Sequence, residues 1–410
     1  MIIKPKVAFV HDVLPFRGGA ERTLEAMLEV FPDAPLFTLV YNREAFDRSP
    51  VTARTIYTSQ INKIPLSWKY YRNFLPILPL VIEQFDLSGY DLIISSSYAV
   101  AHGVLPRPDQ LHIGIVYTPL RQAWHHYHEF MLNRGWKGGL TSIIAKSILH
   151  YLRIWDQTAA IRVDRFVAIS DWVSKLIWRY YRRSSEILYP PVDIDRFQPL
   201  SPRGNYYLAV SRLASHKRVL QLCEAFSNLR YPLILVGDGP EKNKINALKA
   251  DNIQVIGWQS DERIQELMGR ARAFVHTAEE DFGMVMVEAQ AAGCPVIAFG
   301  RGGARETVIP GKTGLLYYEP TPEGLISAVQ RFERNHMDFG INDLRESAAR
   351  FSQERFKDNF YRLVEREWLG YSGVDFKPYL EGGRRGLNPQ PSDPQSDALP
   401  VELRPPRTRL

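Results

Sequence analysis

Cysteine is almost missing from this chain: among 410 residues only Cys223 and Cys294 occur, far apart and flanked by apolar residues. That excludes a disulfide-stapled scaffold and a cysteine-rich metal site, and it points to two buried thiols in a reducing compartment. Long apolar runs are missing too. No stretch approaches the roughly 18–20 residues that span a bilayer. The first apolar run, Val7–Val10, ends at His11-Asp12, too short for the core of a secretion signal. A cytoplasmic protein is therefore expected. No repeat of fixed period occurs. The basic residues are scattered with no nucleic-acid reading module among them, so nucleic acid is not an expected partner. The carboxylates of Asp193-Ile194-Asp195 have no third ligand nearby in sequence, and no metal or cofactor is expected. What remains is a formal net charge of +6, which suits an anionic partner such as a phosphate or a membrane surface.

The chain is long enough for two ordinary domains, because single cores rarely grow past about 250–300 residues. Lys6–Asp12 reads as a short buried strand, followed by Gly18-Gly19 and a helical pattern over Arg22–Phe31. Strand, glycine loop and helix open a doubly wound α/β domain. Leu36–Val40, Leu92–Ser96, His112–Tyr117 and Phe166–Ile169 continue it as strands. Turn residues cluster over Pro190–Asn205. A second series follows, with strands expected at Tyr206–Ser211, Pro232–Val236, Ile253–Ile256, Ala273–Thr277 and Pro295–Phe299. The expected organisation is a first domain at 1–192, a linker at 193–205, a second domain at 206–351, a helix at 352–370 and a disordered tail at 371–410.

The most informative segment runs from Thr277 through Glu280-Asp281-Phe282-Gly283-Met284 to Glu288 and Cys294-Pro295. A strand ends, an acidic loop follows, and a helix begins near Gly283. Free N–H groups at a helix start and the positive end of its dipole favour a diphosphate, here on Phe282, Gly283 and Met284. Glu280 and Glu288 are too far apart to act on one atom as an acid/base pair. They suit hydroxyl acceptance, Glu280 from a sugar and Glu288 from a ribose. A merely acidic first turn is the plainer alternative. Arg212 and Lys217 follow the first strand of the second domain, where two cations could neutralise a departing nucleoside diphosphate; a solvated basic turn is the alternative. Gly18-Gly19 could close over the same phosphate from the first domain, or simply make a turn. The loops Val236–Pro240, Gly302–Glu306 and Gly311–Gly314 suit the walls of such a pocket, or structure alone.

These residues together resemble the retaining glycosyltransferase family 4. The resemblance is carried by Arg212/Lys217, Glu280-x7-Glu288 with Phe282-Gly283 inside it, Gly302-Gly303-x-x-Glu306 and Gly18-Gly19, and it spans about residues 6–370. It implies a GT-B fold, in which two Rossmann-like domains face a cleft and the last helix crosses back. It also implies a nucleotide-sugar donor on the second domain, an acceptor on the first, and no metal. Carried over, Arg212 and Lys217 bind the diphosphate, Glu280, Asp281 and the following amides hold the sugar, and Glu288 binds the ribose. Tyr117-Thr118-Pro119 through Trp124, with His125, His126 and His128 after it, resembles an O-antigen and exopolysaccharide mannosyltransferase branch, which makes GDP-mannose the leading donor. Tyr117 stands where many members carry histidine near the donor sugar, and one of those three histidines could take its place. No nucleophile is evident, so a front-face displacement is expected.

Asn62–Phe85 interleaves Trp68, Tyr70, Tyr71 and Phe74 with Lys63, Lys69 and Arg72. It suits docking at an anionic interface, with help from Trp172–Arg183, or else an ordinary core. The expected acceptor is a glycan or a polyprenyl-diphosphate-linked glycan, at the inner face of the plasma membrane. A nucleotide-sugar 2-epimerase and a non-catalytic nucleotide-sugar-binding subunit of a membrane assembly complex are the rival functions.

Overall fold

The computed structural model describes residues 5–47, 49–136, 138–334 and 339–373. All of the expected tail past residue 373 lies outside them. Two parallel sheets form. The first has seven strands: β1 Val7–His11, β2 Leu36–Thr38, β3 Ile56–Thr58, β4 Leu92–Ser97, β5 Leu111–Val116, β6 Arg165–Ala168 and β7 Ser185–Ile187, in the order β3-β2-β1-β4-β5-β6-β7. The second has six: β8 Tyr207–Val210, β9 Leu233–Val236, β10 Ile253–Gly257, β11 Ala273–His276, β12 Val296–Phe299 and β13 Gly314–Tyr317, in the order β10-β9-β8-β11-β12-β13. The central strands are apolar on both faces, with every residue of β1 and β4 buried, as parallel sheets covered by helices require. Both sheets reverse direction beside their first strand, between β1 and β4 and between β8 and β11. Ligands of open α/β sheets bind at the carboxyl ends of strands flanking such a reversal.

Three strands escaped the sequence reading. β3 and β7 are short, half-exposed edge strands with no buried run to mark them. β13 starts inside a stretch read as a loop. Its first residue, Gly314, lies so close to β12 that a Cβ would sit 1.9 Å from the Val296 carbonyl oxygen. The long helix Gly139–Ile161 also went unread, because apolar residues surround it and leave no clean 3.6-residue stripe.

Two devices shape the carboxyl edge of the first sheet. Asp12, buried just past β1, accepts hydrogen bonds from four successive N–H groups, Tyr98 (2.6 Å), Ala99 (3.0 Å), Val100 (2.6 Å) and Ala101 (2.7 Å), and so pins the loop leaving β4. Beside it, His11 Nδ1 lies 2.9 Å from Ser96 Oγ. The final helix, Gln353–Ser372, returns to the first half: Phe360 meets Phe31 edge-on at 5.8 Å, and Lys357 pairs with Glu29. The fold class is the one expected, two doubly wound parallel-sheet halves with a helix that returns from the second to the first.

Candidate active site

The second half supplies a charged cluster at the end of β11. Glu280 lies in the loop after that strand with its Oε1 2.5 Å from Lys217 Nζ and 3.2 Å from His276 Nε2. Burial alone would raise the Glu280 pKa, but Lys217 and His276 outweigh it and hold the carboxyl well below the usual range. Lys217 and His276 both approach Oε1, so neither of these two contacts uses Oε2. Lys217 is fixed in turn, since Thr277 Oγ1 donates to its carbonyl at 2.8 Å. Gly302 and Gly303 form the floor under this loop. A Cβ on Gly302 would fall 2.2 Å from the Glu280 carbonyl oxygen, and one on Gly303 2.3 Å from Phe282 Cα; the Gly303 N–H donates to Glu280 O at 2.7 Å. Gly283 then turns the chain at φ +90° and caps the helix Met284–Ala291. In its first turn the Met286 N–H donates to the Gly283 carbonyl at 2.9 Å, while Met284 and Val285 precede any carbonyl of the helix that they could bond.

The first half meets this cluster across a cleft. A Cβ on Gly19 would lie 2.9 Å from Met284 Sδ, so the two glycine-bearing helix starts face each other. Arg121 Nη2 reaches Asp281 Oδ2 at 2.7 Å, and Ser170 Oγ donates to the Asp281 carbonyl at 2.5 Å. Arg22 Nη1 lies 3.4 Å from Glu288 Oε1. Glu306 accepts from the Asp171 (2.8 Å) and Trp172 (3.2 Å) N–H groups and caps the helix Asp171–Tyr181 from the opposite half. Burial raises the pKa of Asp281 and of Glu288, with Arg121 and Arg22 opposing it. Arg212 is exposed and opens onto a cavity of about 580 Å³ between the halves. Gly237, Asp238 and Trp258 line it on one side, and Phe16, Trp68 and Arg72 on the other.

Residues 192–356 match the family Glycosyl transferases group 1. That match lies in the C-terminal half and runs into the start of the returning helix. A curated relative, an uncharacterised glycosyltransferase of Methanocaldococcus jannaschii, is 27% identical over 360 residues, covering 85% of this chain and 95% of the relative. A GDP-mannose-dependent alpha-mannosyltransferase of Mycobacterium tuberculosis is 33% identical over 137 residues, which is 30% of this chain and 36% of that protein. The crystal structure of Anabaena HepE in complex with UDP aligns with a TM-score of 0.65 at 18% identity, over 88% of this chain and 100% of that one. At that identity the likeness carries the fold, which is GT-B. The protein is a glycosyltransferase.

Within the glycosyltransferase, Lys217, Glu280, Asp281, Gly283, Met284 and Gly19 gather around one stretch of cleft. Arg212 sits on the same loop as Lys217 but faces the outer cavity, whose lining includes neither Lys217 nor Glu280. Two expectations need adjustment, at Gly18 and Tyr117. The Gly18 N–H is not bare, because Glu21 Oε2 accepts it at 2.9 Å. The Phe282 side chain is buried against Tyr189 and Phe351, consistent with an expected role for its backbone N–H alone. Tyr117 is buried, its hydroxyl donating to Ala20 O at 3.0 Å and lying 2.9 Å from Ser96 Oγ, so it supports the glycine loop from beneath. Of the neighbouring histidines, His126 Nδ1 lies 2.9 Å from Glu129 Oε2, whereas burial, with His126 beside it, pushes His125 down to about 3. Sequence reasoning gave no role to Arg22, Arg121, Ser170 or His276. Only His276 left a signal, a histidine ending a buried strand four residues before Glu280.

Proposed function

We propose that this glycosyltransferase is a retaining hexosyltransferase that moves mannose from GDP-mannose to a lipid-linked or polysaccharide acceptor in cell-surface glycan synthesis, at the inner face of the plasma membrane. The cavity of about 580 Å³ carries the reading, with Arg212 in its wall and the Lys217–Glu280 pair on the same sheet edge. It is large enough for a nucleoside, and Trp258 and Trp68 offer flat faces on which a purine stacks over more area than a pyrimidine. The GDP-mannose dependence of the mycobacterial relative supports the same choice. Glu288 suits the ribose and Glu280 Oε2 a sugar hydroxyl.

In the proposed reaction the bond between the sugar C1 and the diphosphate oxygen breaks as the acceptor oxygen bonds C1 on the same face. The acceptor proton passes to the departing phosphate oxygen. Lys217 and the first amides after Gly283 stabilise the charge that develops there, and Arg212 meets the nucleotide from the cavity wall. With these cations in place, we propose that the reaction needs no divalent ion, and turnover should survive EDTA. Thermal shifts with GDP-, UDP- and dTDP-sugars test the donor, since a ligand at a hundred times its Kd stabilises the native state by about 2.7 kcal/mol. GDP-mannose should give the largest shift. NMR of the product should show the anomeric configuration of the donor retained. A larger shift with a pyrimidine nucleotide sugar removes the mannose assignment, an inverted product removes the front-face path, and conversion of the donor with no acceptor present marks an epimerase instead.

A further inference from the structure

The helix Gly139–Ile161 is apolar on both sides, and only one side is covered. Ala145, Leu149, Leu152, Trp155 and Ala159 pack into the two cores of the first half. On the opposite side Leu140 (72% exposed), Ile143 (61%), Ile144 (51%), Tyr151 (47%), Ile154 (54%) and Ile161 (74%) stand in solvent. Their spacing makes one stripe along the helix axis, about 35 Å long at 1.5 Å per residue. A stripe of branched aliphatics that long is not scattered surface hydrophobicity. Among the described residues no helix is long and apolar enough to cross a membrane, so this one would lie on a surface.

Charge identifies the surface. The only acid of the helix, Asp156, is buried, while Lys146 and His150 are exposed beside the stripe. The segment 62–82 packs on the same cores, with Leu75 touching both, and Trp155 and Arg162 tie the helix to Glu83. That segment exposes Lys63, Ile77 and Leu80 and has no acid before Glu83, while its Lys69 and Arg72 line the cavity between the halves. A two-fold contact between copies would set these lysines near one another with no exposed acid from either helix to pair them. Lipid phosphates would pair them.

We propose that this face docks the enzyme on an anionic phospholipid bilayer, with the helix Gly139–Ile161 in the interfacial plane and Lys146 at headgroup level. The inference rests on the proposed membrane-linked acceptor and names the element that reaches the membrane. The segment 62–82 is its flank, not its centre.

The test uses the full chain with no nucleotide sugar present, so vesicle binding and donor binding can fail independently. Wild-type protein should sediment with vesicles of equal parts phosphatidylcholine and phosphatidylglycerol, and far less with phosphatidylcholine alone. Ile144→Ser/Ile154→Ser should weaken that partition about tenfold or more, because each change removes several carbons from the lipid contact. Lys146→Glu should weaken binding to the anionic vesicles and blunt its salt sensitivity. Both variants change exposed side chains, so their unfolding temperatures should match wild type and certify the fold. Wild-type protein that ignores the vesicles, or a double variant that binds as wild type does, overturns the proposal. Light scattering that shows a wild-type dimer broken by the double variant also overturns it, and assigns the face to a second copy.

Discussion

Replacing Lys217 with methionine keeps an unbranched side chain, one atom shorter, and removes its charge. Two effects then separate. In the native protein Lys217 Nζ sits 2.5 Å from Glu280 Oε1, with the two side chains 21% and 22% exposed. Removing one partner of a fully buried pair costs about 3–5 kcal/mol, and partial exposure lowers the figure. The stranded carboxyl can also escape by taking a proton. At pH 7 that costs about 1.4 kcal/mol for each unit between the pH and an ordinary glutamate pKa near 4.3, or about 3–4 kcal/mol. The loss in Lys217→Met should therefore fall at about 2–4 kcal/mol at pH 7. At pH 5, where protonation costs only about 1 kcal/mol, the loss should shrink accordingly. Adding Glu280→Gln removes the stranded charge and should recover most of the stability.

Activity should behave differently. Loss of a preorganised positive group at a leaving phosphate costs about 10²–10³ in kcat, by analogy with removal of an oxyanion-stabilising donor. Glu280→Gln should not restore it, because it repairs the fold and does not return the Lys217 charge to the proposed phosphate site. Denaturant unfolding at the two pH values and nucleoside-diphosphate release under saturating donor measure the two effects. A kcat within about threefold of wild type would refute the phosphate role of Lys217. A stability loss equal at pH 5 and pH 7 would show that the ion pair is not its source.

His112 is fully buried, and burial, with His102 nearby, pushes its pKa down to about 3. The unfolded chain takes up that proton near pH 6.5 and the native one does not, so stability is complete above about pH 6.5 and falls by about 2 kcal/mol by pH 5; His112→Asn should flatten that slope in pH-dependent thermal melts, and an unchanged slope sinks the assignment. Gly237 holds φ +137° in the cavity wall, where a Cβ would meet the Ser211 carbonyl oxygen at 1.9 Å. Gly237→Ala should lower both the melting temperature and donor affinity, while Gly89→Ala, with nothing within 4 Å of its Cβ, should alter neither in melts with and without donor.

Elements with an unambiguous period were legible from the residues alone. β1 followed by Gly18-Gly19 and a helix, and β11 followed by an acidic loop and a glycine-capped helix, need no tertiary information, because burial on both faces and the helix-start chemistry are local. The edge strands β3 and β7 were hidden because half-exposed strands carry no continuous apolar run. The helix Gly139–Ile161 was hidden for the opposite reason: the stripe left in solvent is as apolar as the one in the core, so no periodicity marks either. The site was legible on one side only. Glu280 and Lys217 lie close enough in a single domain for strand topology to bring them together. The partners Arg121 and Arg22 come from the other domain, 160 and 266 positions away from Asp281 and Glu288, and nothing local in their segments marks them as part of the cleft.

Those cross-cleft partners oppose the cost of burying two acids beside the proposed phosphate site. Asp281 and Glu288 are carboxyls that burial pushes upward in pKa, and in a cleft lined only by backbone they would tend to hold their protons. Arg121 and Arg22 oppose that tendency from the far wall. Each guanidinium also retains exposed surface, with side chains 38% and 33% accessible, so neither pair is sealed against exchange for a ligand hydroxyl. Glu280 is different, since Lys217 and His276 both come from its own half and converge on a single oxygen. Its orientation therefore does not depend on the distance between the halves. The group proposed to bind the reacting sugar is held by one rigid domain, while the groups flanking it are balanced by the other.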